Sequence, residues 1–163
     1  MNPSLPGRTI DTRPAFVAAF HDAVQAALRQ RARQMYWVDG DFADWPLDDP
    51  LALQSLTDWL RLPQRQLLLL SAQPEALRPR ARFMDVYRPW SHAVGVREPA
   101  PEDAAELPCL LLVEGVSSMQ VLDKRHWRGG VSSTPADLHA CRERIEALLQ
   151  RSSAALPVTT LGL

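Results

Sequence analysis

Lysine is nearly absent from this chain. Lys124 is the only one among 18 basic residues, and all the others are arginine. That bias fits a GC-rich bacterial source, and it also favours bidentate recognition of carboxylate or phosphate. Cysteine is scarce as well. Cys109 and Cys141 are too few for a disulfide framework, and each falls on an apolar face. They are expected to be small core residues in a reducing, cytoplasmic setting. No apolar run approaches the roughly 18 residues that span a bilayer, so no membrane association is expected. The opening residues from Met1 to Arg8 lack the apolar region of a signal peptide. Net charge is −1. No overall field draws the chain to nucleic acid or anionic lipid, and nucleic acid is not an expected partner.

Signature motifs are missing too. There is no Gly-x-Ser-x-Gly elbow for a serine hydrolase. No lysine and hydroxyl pair follows a glycine loop, which excludes a P-loop. His92 has no cysteine or histidine partner at metal spacing, so no resident cofactor is implied.

What remains is an ordinary globular composition, 46% hydrophobic and 23% charged over 163 residues, enough for one domain with a core. Residues 1–10 read as a flexible lead, 11–152 as a single α/β domain and 153–163 as a tail. Asp11 or Thr12 can cap a helix with Pro14 in its first turn. Phe16, Phe20, Val24 and Leu28 recur at helical spacing and form its buried stripe. Arg29, Arg31 and Arg33 crowd its end and read as a solvated helix terminus. Gln34–Asp39 reads as a strand. Asp48 or Asp49 caps the next helix, with Pro50 at its first position. Gln66–Ser71 is apolar on both sides of the pleat, as in a covered parallel strand. The segment from Pro74 to His92 holds a short helix, and Ala93–Arg97 is extended.

Two buried strands follow, over Leu107–Val113 and Met119–Asp123. They are expected to carry a cationic loop, Lys124–Thr134, to the start of a last helix with Thr134 as N-cap and Pro135 at N1. The expected architecture is therefore α/β: a single mixed, mostly parallel sheet covered by helices.

Three groups of residues read as candidate sites. The first is Arg125, Trp127 and Arg128 with Gly129-Gly130, running into Ser133 and Thr134. Glycines let a ligand approach the backbone, and a helix start presents free N–H groups to an anion. The competing reading is a loop whose hydroxyls only cap the helix. The second group holds Arg88 and His92, beside Arg82 and Asp85. Its arginines and Asp85 can also be a surface ion-pair ladder. The third is Asp39 and Asp41 after a hydrophobic strand. This Asp-x-Asp resembles the start of the haloacid-dehalogenase phosphotransferases, in which the first aspartate is the nucleophile and the pair holds magnesium. The resemblance covers about seven residues and lacks the later acidic pair, and Asp39-Gly40 is also a common turn dipeptide.

The order of elements from Pro14 to Arg151 resembles one half of the phospholipase D-like fold. Active members carry His-x-Lys-x-x-x-x-Asp, with the histidine as nucleophile and the lysine on the phosphate. Setting Glu114 in the acidic place puts Leu107 at the histidine and Cys109 at the lysine. The Gly-Ser-x-Asn that usually follows becomes Gly129-Gly130-Val131-Ser132. The resemblance thus implies a fold without phosphodiester chemistry, binding a small anionic ligand or a protein partner. Active members work as paired halves, so it also implies a homodimer. A metal-dependent phosphate enzyme using Asp39 and Asp41 is the alternative.

Overall fold

The computed structural model describes residues 7–158. The helices begin where the capping residues require. Helix α1 (Arg13–Arg29) has Thr12 as N-cap, its hydroxyl accepting from the Ala15 amide at 3.1 Å. Helix α2 (Pro50–Leu60) is capped by Asp49 and opens on Pro50. Proline at the first position loses no hydrogen bond, because that N–H would be unpaired anyway. A short helix, α3 (Ala81–Tyr87), fills the segment after a 3₁₀ turn at Pro74–Leu77, and α4 (Pro101–Ala104) is a single turn. The long helix α5 (Pro135–Gln150) is capped by Thr134.

Strands β1 (Thr9–Ile10), β2 (Gln34–Asp39), β3 (Gln66–Ser71), β4 (Val94–Glu98), β5 (Cys109–Val113), β6 (Ser117–Asp123), β7 (Arg128–Ser132) and β8 (Ser153–Ala154) form one sheet in the order β1-β7-β6-β5-β2-β3-β4-β8. The sheet is mixed, but it is not mostly parallel. Only β2–β3 and β3–β4 are parallel, and the other five pairings are antiparallel. For two of the five the reason lies in connection length. Parallel neighbours need a crossover such as α2, whereas the short turns after β5 and β6 can only fold back as hairpins.

A second correction concerns the polar segment after β6. It is not one loop leading into a helix. Residues 128–132 pair with β6 and continue the meander. Residues 1–6 and 159–163 lie outside the described residues. Thr9 and Ile10, inside the segment read as a lead, pair with Gly130 and Gly129. Ser153 and Ala154, inside the segment read as a tail, pair with β4.

The two sheet faces are covered unequally. One carries Trp37, Leu67, Leu69, Leu111 and Met119 beneath α1, α2 and α3, with Phe16, Phe20, Trp45 and Trp59 fully buried there. The other is covered mainly by α5. Its core is small: Tyr36, Val38, Leu70, Leu110 and Leu112 around Ile145, the one fully buried residue of that helix. Leu122 on β6 stays 77% exposed. Among the described residues no helix is long and apolar enough to cross a membrane.

Candidate functional site

At one end of the sheet the chain reaches the ends of β2 and β6 and the starts of β5 and β7. Val38 pairs with Leu110. One step further along the same register sets Asp39 beside Cys109, on the same face of the pleat. Lys124, just past β6, completes a buried polar group. Its ammonium lies 2.5 Å from Asp39 Oδ1. The Phe42 amide donates to Asp39 Oδ2 at 2.9 Å. Asp39 is 1% exposed, so both of its oxygens are committed inside the protein. A buried carboxylate needs such partners.

These residues sit at the floor of an open cleft of about 630 Å³, which Asp41, Gln73, Glu106, Leu107 and Arg144 also line. The cleft carries both signs of charge. Arg144, exposed on α5, has no carboxylate at ion-pair distance among the described residues. A second opening of about 400 Å³ continues along β6 and α5, sharing Gln120, Leu122 and Arg144 with the first.

Protonation limits what this site does. Burial pushes the Cys109 thiol far up, and the negative charge of Asp39 pushes it further, against a smaller opposing pull from Lys124. The thiol is therefore neutral and a poor nucleophile. Burial alone would pull the Lys124 ammonium down, but the hydrogen bond and charge of Asp39 outweigh it and hold its pKa above that of an ordinary lysine. The amine stays protonated. Asp39 faces an ammonium where a metal would have to sit, and Asp41 Oδ1 accepts from the Ala43 amide at 3.0 Å in a turn. Among the described residues no group of three histidines, cysteines or carboxylates is arranged to hold a metal.

The residues singled out in the sequence fall in three places. Arg125 lies in the β6–β7 turn and Arg128 just after it, close to Lys124 and at the cleft end of the sheet. Both are exposed. Asp123, the acid of this turn, is already engaged. It accepts from the Arg125 amide at 2.9 Å and lies 2.8 Å from His126 Nδ1. Trp127 is half-buried: it takes a left-handed φ of 50° and packs its ring 5.4 Å from Phe16. It anchors the turn to the core.

Ser133 and Thr134 lie at the opposite end of β7, about 16 Å away at the usual rise per residue. Their helix start is also filled from within. Asp137 accepts from Ser132 Oγ at 2.5 Å, and its amide donates to Thr134 Oγ1. Hydrogen bonds from Ser132 and then Thr134 hold the Asp137 carboxyl below the usual range. That carboxylate already occupies the favourable end of the helix dipole. Arg88 and His92 stand before the start of β4, also at the far end and about five strands, or roughly 24 Å, from β7. Arg88 pairs weakly with Asp85 at 3.7 Å, and the His92 ring lies 5.5 Å from that of Trp90. The three groups do not form one site.

Sequence reasoning missed Lys124 as the partner of Asp39, although it is the only lysine. It missed Arg144 as well, because nothing in a helix sequence shows which turn will face a cleft.

No protein-family model and no curated protein matches this chain. Among solved structures it is similar to Nuc from Salmonella typhimurium, a phospholipase D family member, with a TM-score of 0.53. The match covers 86% of this chain and 90% of that one, at 9% sequence identity. Such a likeness speaks for architecture alone, and on it the chain has a phospholipase D-like fold.

Proposed function

We propose that this is a non-catalytic phospholipase D-like domain that binds an anionic ligand at the β6–β7 turn and the adjoining cleft. One observation carries the reading. Where the active signature would set a histidine and a lysine, Leu107 and Cys109 line the cleft. Cys109 is a neutral thiol, and Lys124, the one amine, is tied to Asp39. The cleft lining holds no histidine and no reactive thiolate, while Arg125, Arg128 and Arg144 beside it have no carboxylate partner among the described residues. Arginine without an internal partner is well suited to a phosphate or carboxylate from outside. The free thiols of Cys109 and Cys141 suit a reducing, cytoplasmic setting.

Titration with inorganic phosphate, followed by calorimetry, tests this. Saturable binding is expected, weakened about tenfold in Arg125→Gln/Arg128→Gln, in line with the strength of charge-assisted hydrogen bonds. Binding of equal strength in that variant, or none in the native protein, would remove the anion reading.

A protein partner, including a second copy of this chain, is the second reading. Leu122 favours it, an exposed apolar side chain in the uncovered part of the α5 face. Sedimentation would then show an assembly that Leu122→Asp disperses. A monomer at high concentration would dismiss the homodimer.

A further inference from the structure

The parallel pairing of β2 with β3 has an effect far from the cleft. It brings two acid-free stretches side by side, residues 29–34 and 61–66, because Gln34 registers against Gln66. Between them they hold Arg29, Arg31, Arg33, Arg61 and Arg65, and most of the rest is glutamine. Only Arg61 has a carboxylate partner among the described residues, Asp58 at 3.6 Å.

The patch is built rather than loose. Arg65 Nη2 donates to the Arg31 carbonyl at 3.1 Å, and the Gln66 amide to the Arg33 carbonyl at 3.0 Å. Trp59 Nε1 donates to the Ala32 carbonyl at 2.7 Å. Arg31 and Gln64 are both held at left-handed φ, 55° and 58°. Arg65 is thus fixed by neutral carbonyls, which leave its charge uncancelled, and its Nε is buried without a partner. Burial, and then the charges of Arg31 and Arg33, lower its pKa. The guanidiniums are close enough to repel one another. Glu114, the acid whose amide reaches Gln34, gives its carboxylate to Arg142 instead.

We infer that this acid-free arginine patch, formed where the starts of β2 and β3 converge, binds a linear inorganic polyphosphate. The surface decides among polyanions. None of the three main clefts is lined by these residues, which argues against an enclosed small ligand. Among the described residues the exposed large apolar side chains, Leu51 and Leu122, lie elsewhere, so the patch has no apolar side chain to insert into a membrane. No exposed aromatic offers a base a stacking platform. Crowded guanidiniums with amide donors between them suit an anion with adjacent charges and no apolar part. The net charge of −1 hides the patch, because carboxylates elsewhere in the chain balance it.

Calorimetric titration with a polyphosphate of defined length tests the inference on the whole chain. Arg31→Gln/Arg33→Gln should weaken binding about tenfold or more, since two exposed charge contacts and their counterion release are lost. Arg125→Gln/Arg128→Gln should leave the Arg31-dependent binding phase within about twofold, whatever it does to a weaker phase at the cleft rim. The melting temperature of the Arg31→Gln/Arg33→Gln variant should match or exceed that of the native protein, because repulsion is relieved. Equal polyphosphate affinity in that variant, or loss of binding only in the rim variant, would overturn the inference. So would equal or tighter binding of a DNA duplex with the same number of phosphates.

Discussion

At the scale of single residues, Asp39 and Lys124 decide the chemistry of the cleft. A buried carboxylate is tolerated only with its charge answered, and Lys124 answers it at 2.5 Å. Removing one partner is worse than removing both. Lys124→Met should cost about 2–4 kcal/mol, because it strands the Asp39 charge. Adding Asp39→Asn to it should recover much of the loss. Denaturant unfolding of both variants measures this, and simple additivity of the two changes would refute a coupled pair.

The thiols give a second expectation at this scale. Cys109 is pushed well up, and burial raises Cys141 to about 11, against a smaller downward pull from Arg144. At pH 8 both should react with a thiol reagent at least about tenfold more slowly in the native protein than in denaturant. A fast native burst from either would contradict their described surroundings.

At the scale of elements, β7 is set by its glycines. A Cβ at Gly129 would meet the Gln120 carbonyl oxygen at 2.2 Å and Val121 Cα at 2.9 Å, both backbone atoms. At Gly130 the nearest contact is the Arg8 carbonyl oxygen at 3.3 Å. Gly129→Ala should therefore destabilise the domain by about 1–3 kcal/mol, and Gly130→Ala clearly less. Equal melting temperatures for the two would mean that β7 does not lie so close to β6.

The start of α5 gives a pH dependence. The folded pKa of Asp137 is depressed. Its contribution is present above the ordinary aspartate pKa and is lost as pH falls through the folded value. The protection factors of amides in the first turn of α5, measured against the intrinsic exchange rate at each pH, should fall below about pH 4. Asp137→Asn should flatten that response.

At the scale of the whole molecule, the chain's periodicity and caps made most elements legible. Phe16, Phe20 and Val24 marked α1, and Asp11 or Thr12, Asp48 or Asp49, and Thr134 marked three helix starts, of which Thr12, Asp49 and Thr134 are the caps. Strand direction was not legible in the same way. Leu110, Leu111 and Leu112 are apolar enough for a parallel or an antiparallel centre; the short turn after β5 makes its pairing with β6 antiparallel, and no local turn sets its pairing with β2. Arg128-Gly129-Gly130 read as loop because two glycines lower strand propensity. The close approach to β6 is what requires Gly129. Sites suffered most. Arg125 and Arg128 stayed together, but Ser133, Thr134, Arg88 and His92 went to the far end of the sheet. Strand length and sheet order set those separations, and neither is written locally.

The proposal that phosphodiester chemistry is gone is met most directly by turnover of a chromogenic phosphodiester at neutral pH, with magnesium present. With a neutral Cys109 and a committed Lys124, no hydrolysis above buffer is expected. Turnover by the native protein that disappears in Cys109→Ala or Asp39→Asn would contradict it.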